Sequence, residues 1–395
     1  MKRQRPISVL QVIDSLGMGG AETWLMEVLR LWSKSGDVQM DFLMTSGNRA
    51  IFDEEALRLG ARIHYVRYGR RYLLRFAKKF HDILREGQYD AIHDHQDYAS
   101  GWHFLIGGKA LPPVRVTHIH NPSYQIRNNY GVTLARRLTA RIGRSLIQRY
   151  STHITGTSRQ VITEYGFDTP RFHHMPKSAL YCGFDPSRFL GDRQIAKTAL
   201  CREFTWPENS KILLFAGRLD KSPDMGHPQN HKNSGFAVSV GIECVRHDPS
   251  VRMIFAGKIS PSISILEARI AEAGFAEYIR FAGIRIDIAR LMLASDSLLF
   301  PSRGEGLGMV AVEAQAAGLP VLASTAVPRE CVVVPELVRF KELEAGAASW
   351  AEILCHLAAS PRNISFANQR VATSAFAIEN SSHALLKLYK EGSFV

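Results

Sequence analysis

The chain has 395 residues, 46% of them hydrophobic, and a formal net charge of +12; that length calls for two domains with separate cores. No window holds the ~18 consecutive apolar residues of a membrane-spanning helix, and the basic start MKRQRP leads into too short an apolar run for a secretory leader. The five cysteines, Cys182, Cys201, Cys244, Cys331 and Cys355, include no C-x-x-C pair, so we expect neither a zinc site nor a disulfide framework, and a reducing, cytoplasmic setting.

The first half alternates short β-branched runs with amphipathic stretches: ISVLQVI, a helix from Ala21 to Ser33, VQMDFLM, RIHYV, YDAIH, VRVTHIH and STHITGT. Alternation of this kind predicts a parallel, doubly wound α/β sheet. Residues 1–200 hold 29 of the 49 basic residues and 17 of the 37 acidic ones, so the whole charge excess lies there. Within it, residues 101–150 carry Lys109, Arg115, Arg127, Arg136, Arg137, Arg141, Arg144 and Arg149 and no acidic residue, which suits an anionic partner. From Arg127 to Arg149 the pattern reads as a helix whose Leu134, Leu138, Ile142 and Leu146 recur every four residues and are expected to face the core. Arg137, Arg141 and Arg144 fall on a neighbouring face, a basic amphipathic arrangement fitted to peripheral docking at the anionic inner face of a membrane.

Glycine and proline interrupt the pattern at YCGFDPSR, Tyr181 to Arg188, and mark a domain boundary. The second half then repeats a rhyme: KILLFAG, VRMIFAG and YIRFAG end on Gly217, Gly257 and Gly283. In open α/β sheets ligands bind beyond the carboxyl ends of strands, where glycine lets backbone come close. After DSLLFP comes PSRGEGLGMVAVEAQAAGLP, in which Gly304 to Gly308 form a turn and Met309 to Ala317 a helix stopped by Gly318 and Pro320. Glu305 is thus on the loop ahead of the helix and Glu313 on the helix itself. The open N–H groups and dipole at a helix start favour a phosphate, whereas carboxylates beside it should accept hydrogen bonds from hydroxyls. A sugar nucleotide offers both.

With these residues in view the chain resembles the retaining nucleotide-sugar glycosyltransferases of family 4. The signature is the spacing of Glu305 and Glu313, with PS before it and EAQAAGLPV across the second glutamate. Gly19-Gly20-Ala21-Glu22 is similar to the family's first-strand glycine loop, Gly217-Arg218 to its G-R pair, Gly183-Phe184-Asp185 to its linker, and Phe376 to Tyr389 to its closing helix. EAQAAGLP together with RVTHIHN most resembles the branch that builds capsular and exopolysaccharides. The resemblance implies a GT-B fold of two facing Rossmann-like domains: an acceptor-binding one over 1–182, a nucleotide-sugar-binding one over 183–372, and a helix over 373–395 that returns to the first. It further implies that Arg218 and Lys232, the latter followed by Asn233 as in the family's K-N pair, hold the diphosphate and offset its developing charge. Leu219 to His231 separate that pair by more than is usual, so Lys221 is the alternative to Lys232. By the same resemblance His120 lies near the transferred sugar, with His118 on the same strand face; His93 and His95 read as packing residues. Glu305 would meet the sugar and Glu313 the ribose, with Gly19, Gly20, Gly217, Gly257, Gly283, Arg285, Gly306, Leu307 and Gly308 completing the donor site. No Asp-x-Asp motif is present, and neither metal nor cofactor is expected: positive side chains and helix N–H groups take that role, attack comes from the departing face, and the leaving phosphate helps deprotonate the acceptor, a glycan or lipid-linked glycan.

Three other readings fare less well. A dehydrogenase needs G-x-G-x-x-G, but Glu22 stands where the last glycine belongs. A nucleotide-sugar epimerase could share the fold and donor site, and acceptor-independent turnover would mark it. A nucleic-acid-binding protein would account for the charge and leave the neutral second half and its glutamates unexplained, so nucleic acid is not expected as a partner.

Overall fold

In a computed structural model, which describes residues 5–125 and 133–392, the chain divides into two compact units, Met1–Phe184 with Ala375–Val395, and Asp185–Ser374. Among the described residues no helix is long and apolar enough to cross a membrane.

The first unit is built on β1 (Ile7–Ile13), β2 (Val38–Met44), β3 (Ile63–Tyr65), β4 (Ala91–Asp94), β5 (Val114–Ile119), β6 (His153–Gly156) and β7 (Lys177–Ala179). They lie in the order β3-β2-β1-β4-β5-β6-β7, and every pairing is parallel. Strands buried on both faces are rich in apolar residues, and β1 and β2 are apolar apart from Ser8 and Gln11 in the first and Gln39 and Asp41 in the second. Leu10, Val12, Leu43, Phe76, Phe80 and Phe104 form part of one core cluster. The helix Ile378–Glu391 completes this unit although the whole second unit precedes it. It is fastened by Phe184 N–H to Phe376 O at 3.0 Å and Ile378 N–H to Phe184 O at 2.9 Å, and by Trp24 Nε1–H to Ser381 Oγ at 2.9 Å. A Cβ on Gly183 would lie 2.5 Å from that of Ser381, so the linker glycine is set by packing against this helix.

The second unit has β8 (Lys211–Ala216), β9 (Val251–Ala256), β10 (Ile279–Gly283), β11 (Ser297–Phe300), β12 (Val321–Ser324) and β13 (Val338–Lys341), ordered β10-β9-β8-β11-β12-β13. Residues 211–300 show four of these strands in sequence, and the structure adds β7, β12 and β13, of three or four residues each. Register pairs Phe215 with Phe255 and Phe255 with Phe281. The three Phe-Ala-Gly endings therefore stand side by side along one carboxyl edge.

The arginine-rich helix runs Leu134–Tyr150; Arg127 lies outside the described residues. Its four-residue leucine stripe does not face the core as expected: Leu134 is 83%, Leu138 54% and Ile142 37% exposed. The buried face is Gly143 and Ile147 instead. Gly143 lets the helix cross the Ala99–Gly107 helix at backbone distance, since a Cβ there would lie 2.4 Å from Tyr98 O, and one on Gly101 would lie 2.2 Å from Gly143 O. Arg144 also leaves the charged face assigned to it: it donates to Gly166 O at 2.6 Å and lies over the Phe172 ring. The glycine crossing is testable. Gly143→Ala should destabilise the protein by about 1–3 kcal/mol through overpacking, outweighing the ~0.5–1 kcal/mol that alanine gains over glycine in a helix; urea unfolding at wild-type stability or above would contradict the crossing.

Candidate functional site

In the second unit the strand order reverses between β8 and β11, the position at which open α/β sheets bind ligands beyond the strand ends. Gly217 and Arg218 follow β8, and Pro301 to Gly308 follow β11. Lys232 enters from the loop ahead of the Ser234–His247 helix and places Nζ 2.6 Å from Glu305 Oε1, with the two side chains 24% and 11% exposed. Its ammonium also lies 5.7 Å from the Phe300 ring centre, and a Cβ on Gly217 would touch its stem at 3.7 Å. The structure thus brings together Gly217, Lys232 and Glu305. Arg218 is exposed beside them. Burial above all, and then the charges of Arg218 and Lys232, hold the His231 imidazole below its ordinary pKa.

The long loop before Lys232 does not displace it, because the Asp220 carboxylate gathers the loop's far end. Asp220 accepts from the backbone N–H groups of His231 at 2.7 Å, Lys232 at 2.9 Å and Ser234 at 2.9 Å. Lys221, the alternative, is exposed. Arg303 N–H donates to His231 O at 2.8 Å, tying this loop to the one that carries Glu305. Sequence reasoning missed Asp220; the trace it left is an acidic residue two positions after Arg218, in a segment otherwise suited to anions.

The helix Met309–Ala316 starts from Gly308, whose φ of 95° is left-handed and whose Cβ would lie 2.9 Å from Phe300 Cε1; glycine is required there. Gly306 and Leu307 precede it in the same turn. Glu313 is half-buried in the middle of this helix, and loss of hydration pushes its carboxyl up to about 7 against a counteracting Arg188 charge. The other glycines divide. Gly257 has φ 150°, and its Cβ would meet Gly217 O at 2.1 Å, so backbone crowding accounts for it without a ligand. Gly283, φ 65°, donates no such clash, its nearest neighbour being Ile259 at 3.9 Å. Arg285 is spent elsewhere: it pairs with Asp287 at 2.8 Å and with Glu203, two carboxylates that raise its pKa.

In the first unit Gly19 lies in the exposed loop after β1 and Gly20, also exposed, opens the helix Gly20–Ser35. A Cβ on Gly19 would overlap Glu22 Oε2 at 2.1 Å, so glycine makes room for this carboxyl, which burial pushes up. His120, at the end of β5, is not alone. Its Nε2 lies 2.8 Å from His95 Nδ1, and His95 Nε2 lies 2.9 Å from Gln11 Oε1. Gln11 Nε2 donates to Tyr389 Oη at 3.0 Å, Tyr389 Oη is 2.6 Å from His93 Nδ1, and His93 Nε2 is 3.2 Å from His118 Nδ1. His93 and His95 are therefore more than packing residues; the signal was the H-x-H doublet in each of two neighbouring strands. Nitrogens of His93, His95 and His118 come within 4.8 Å of one another, a spacing a metal ion can span. The rings of His93 and His95, however, stack at 4.2 Å between centres, and their nitrogens are engaged in hydrogen bonds, so the lone pairs do not converge on one point.

The family model for glycosyltransferase family 4 matches residues 18–186, and that for glycosyl transferases group 1 matches residues 210–358. The chain is a glycosyltransferase with a family 4 domain followed by a group 1 domain. It is similar to EpsF of Bacillus subtilis, named as a glycosyltransferase, at 27% identity over 96% of each chain, and to the capsular polysaccharide biosynthesis glycosyltransferase CapH of Staphylococcus aureus at 24% identity over 97% of this chain and 98% of that one. The fold is GT-B, shared with Anabaena HepE, solved in complex with UDP and glucose, at TM-score 0.73, 17% identity and coverage of 98% and 100%. The lipopolysaccharide glycosyltransferase WaaG matches at TM-score 0.72, 16% identity and the same coverage.

The raised Glu313 carboxyl has a measurable consequence in this glycosyltransferase. A carboxyl whose folded pKa, about 7, lies above its ordinary 4.5 favours the folded state while protonated, and that advantage is lost as pH rises through 7. Glu313→Gln should therefore match wild type in thermal unfolding at pH 4 and exceed it at pH 8, by roughly 1–2 kcal/mol after allowance for partial solvent screening. Equal melting curves at both pH values would show that Glu313 is not desolvated.

Proposed function

We propose that this glycosyltransferase moves a sugar from a nucleoside diphosphate sugar to a glycan or lipid-linked glycan in cell-surface polysaccharide synthesis, with retention of configuration and without a metal ion. The observation that carries the reading is the Lys232–Glu305 pair beside Gly217, at the strand-order switch point and just ahead of a helix start. Lys232 and Arg218 supply fixed positive charge for the diphosphate as the glycosidic bond breaks, with the first N–H groups of the Met309–Ala316 helix as further donors. Glu305 accepts from sugar hydroxyls and Glu313 from the ribose. His120 is the first unit's polar contact to the reacting sugar. The leaving phosphate takes the acceptor proton, and the acceptor attacks from the face it leaves. Arg285 is proposed as structural, given its two carboxylate partners. CapH, by its name, supports the polysaccharide setting, and HepE makes UDP the first nucleotide to try.

Thermal-shift titration with UDP-, GDP-, ADP- and dTDP-sugars should show one nucleotide raising stability by mass action. Lys232→Ala should then weaken the chosen nucleoside diphosphate by about 10–100-fold, the scale of a charge-assisted contact, and the bare nucleoside far less. Equal weakening of both would assign Lys232 to holding the loops rather than the diphosphate.

The same reading places the lipid-linked acceptor at a membrane. Leu138 and Ile142, exposed on the arginine-rich helix, line a shallow depression with Arg141, Arg149, Arg171 and His174: apolar side chains ringed by positive charge, at roughly 1 kcal/mol per basic residue near an anionic surface. Co-sedimentation with vesicles containing anionic lipid should fall in the triple variant Leu138→Gln, Ile142→Gln, Arg141→Gln, and in wild type as salt rises and the Debye length shrinks from about 10 Å to about 3 Å. Wild-type binding that ignores salt, or no wild-type binding at low salt, would remove the membrane contact and leave the transferase reading in place.

A further inference from the structure

The hydrogen bonds around His120 form one chain, and a chain of neutral imidazoles has a direction. Each neutral ring donates from one nitrogen and accepts at the other, so fixing one link fixes all of them. The Gln11 amide, wholly buried, presents Oε1 to His95 Nε2 at 2.9 Å and its NH2 to the Tyr389 oxygen at 3.0 Å. His95 must therefore carry its proton on Nε2 and present a bare Nδ1, which accepts from His120 Nε2–H at 2.8 Å. On the other arm Tyr389, accepting from Gln11, has its hydroxyl proton left for His93 Nδ1 at 2.6 Å. That leaves His93 Nε2–H to donate to His118 Nδ1 at 3.2 Å. The spacings agree with this direction, because the short contact is the hydroxyl's and the longer one the amide's, as their usual lengths require. Its cost is one buried donor, His118 Nε2, which has no hydrogen-bond partner and whose ring meets Trp24 edge-on at 5.6 Å between centres.

We propose that Gln11, acting through His95, fixes the tautomer of His120, so that it carries its proton on Nε2 and turns a bare Nδ1 to the substrate, accepting a hydrogen bond from a hydroxyl rather than donating one. Gln11 and His95 are thus positioning residues, a role that rests on His120 serving the reaction as read above. Among the described residues His120 Nδ1 makes no hydrogen bond. The nearest carboxylate, Asp97, is taken by His120 backbone N–H at 3.0 Å and by Asn121 at 2.8 Å, so it does not compete for the ring. Burial pushes the His120 imidazole down to about 3 and keeps the other three rings well below their ordinary values, so the chain stays neutral at working pH.

Long-range proton–nitrogen NMR on the full chain labelled with 15N-histidine reads the protonated nitrogen of each ring directly. All four of His93, His95, His118 and His120 should be Nε2–H tautomers. Gln11→Leu, which removes the acceptor for His95, should turn His95 and His120 to Nδ1–H and lower kcat about tenfold, the size of one neutral hydrogen bond lost in the transition state, with a smaller change in KM. Gln11→Glu keeps an acceptor for His95 Nε2–H and should restore the His120 tautomer and most of the turnover. Tyr389→Phe should alter His93 and His118 while leaving His120 as in wild type, and if Gln11→Leu does not fold, the wild-type tautomers alone decide the matter. Four Nδ1–H rings in wild type, or a His120 tautomer indifferent to Gln11→Leu, would overturn the proposal. Shifted tautomers with wild-type turnover would overturn instead the role of His120 in the reaction.

Discussion

The second domain is organised around one ion pair, Lys232 to Glu305, at 2.6 Å and largely out of water. Neither charge could be kept so shielded alone, since an unpaired buried charge costs several kcal/mol. The pair therefore holds together two loops that are 73 residues apart, one ending at the Ser234–His247 helix and the other opening the Met309–Ala316 helix. Asp220 and Arg303 serve this arrangement from either side, the first by collecting backbone N–H groups and the second by bridging the loops. An ammonium has three donors, and Glu305 engages one of them, so the same lysine can keep its glutamate while meeting oxygen atoms of a ligand. The pair is at once the clamp of the domain and its readiest cation.

Most of the architecture was legible from residue pattern. The strands of the first 160 residues and the three Phe-Ala-Gly strands announced two parallel sheets, and the glycine spacing around Glu305 announced the turn and helix that follow β11. What pattern could not convey was contact between backbones. Gly143 counts for nothing in a hydrophobic period, yet it sets which side of the arginine-rich helix is buried, and so it turned an expected core stripe of leucines outward. Gly257 looked like an opening for a ligand and is occupied by the Gly217 carbonyl. Arg285 matched a donor-site position, but its charge partners, Glu203 and Asp287, include one that lies far away in sequence. The histidines were visible singly; that they form one chain required Gln11 and Tyr389, one from each end of the sequence.

The two domains also differ in how their polar interiors are satisfied. The loops around Lys232 rely on full charges held by carboxylates, an arrangement that salt or a charged ligand can perturb. The histidine core of the first domain relies on neutral groups, where no counter-charge is needed and where direction, rather than strength, carries the information.

The return of the Ile378–Glu391 helix to the first unit bears on how the protein is made. During synthesis the seven-stranded sheet emerges almost 200 residues before the segment that supplies Tyr389 to His93 and Ser381 to Trp24. Until the ribosome reaches that segment, a buried indole N–H and a buried imidazole lack their partners, and the helix's apolar seat on the domain is open to water. The first domain is thus the earlier one to appear and the later one to finish, while the second, continuous in sequence, can close upon itself in between. The order in which the domains can be completed is inverted relative to the order in which they begin, and the Ile378–Glu391 helix is the latch.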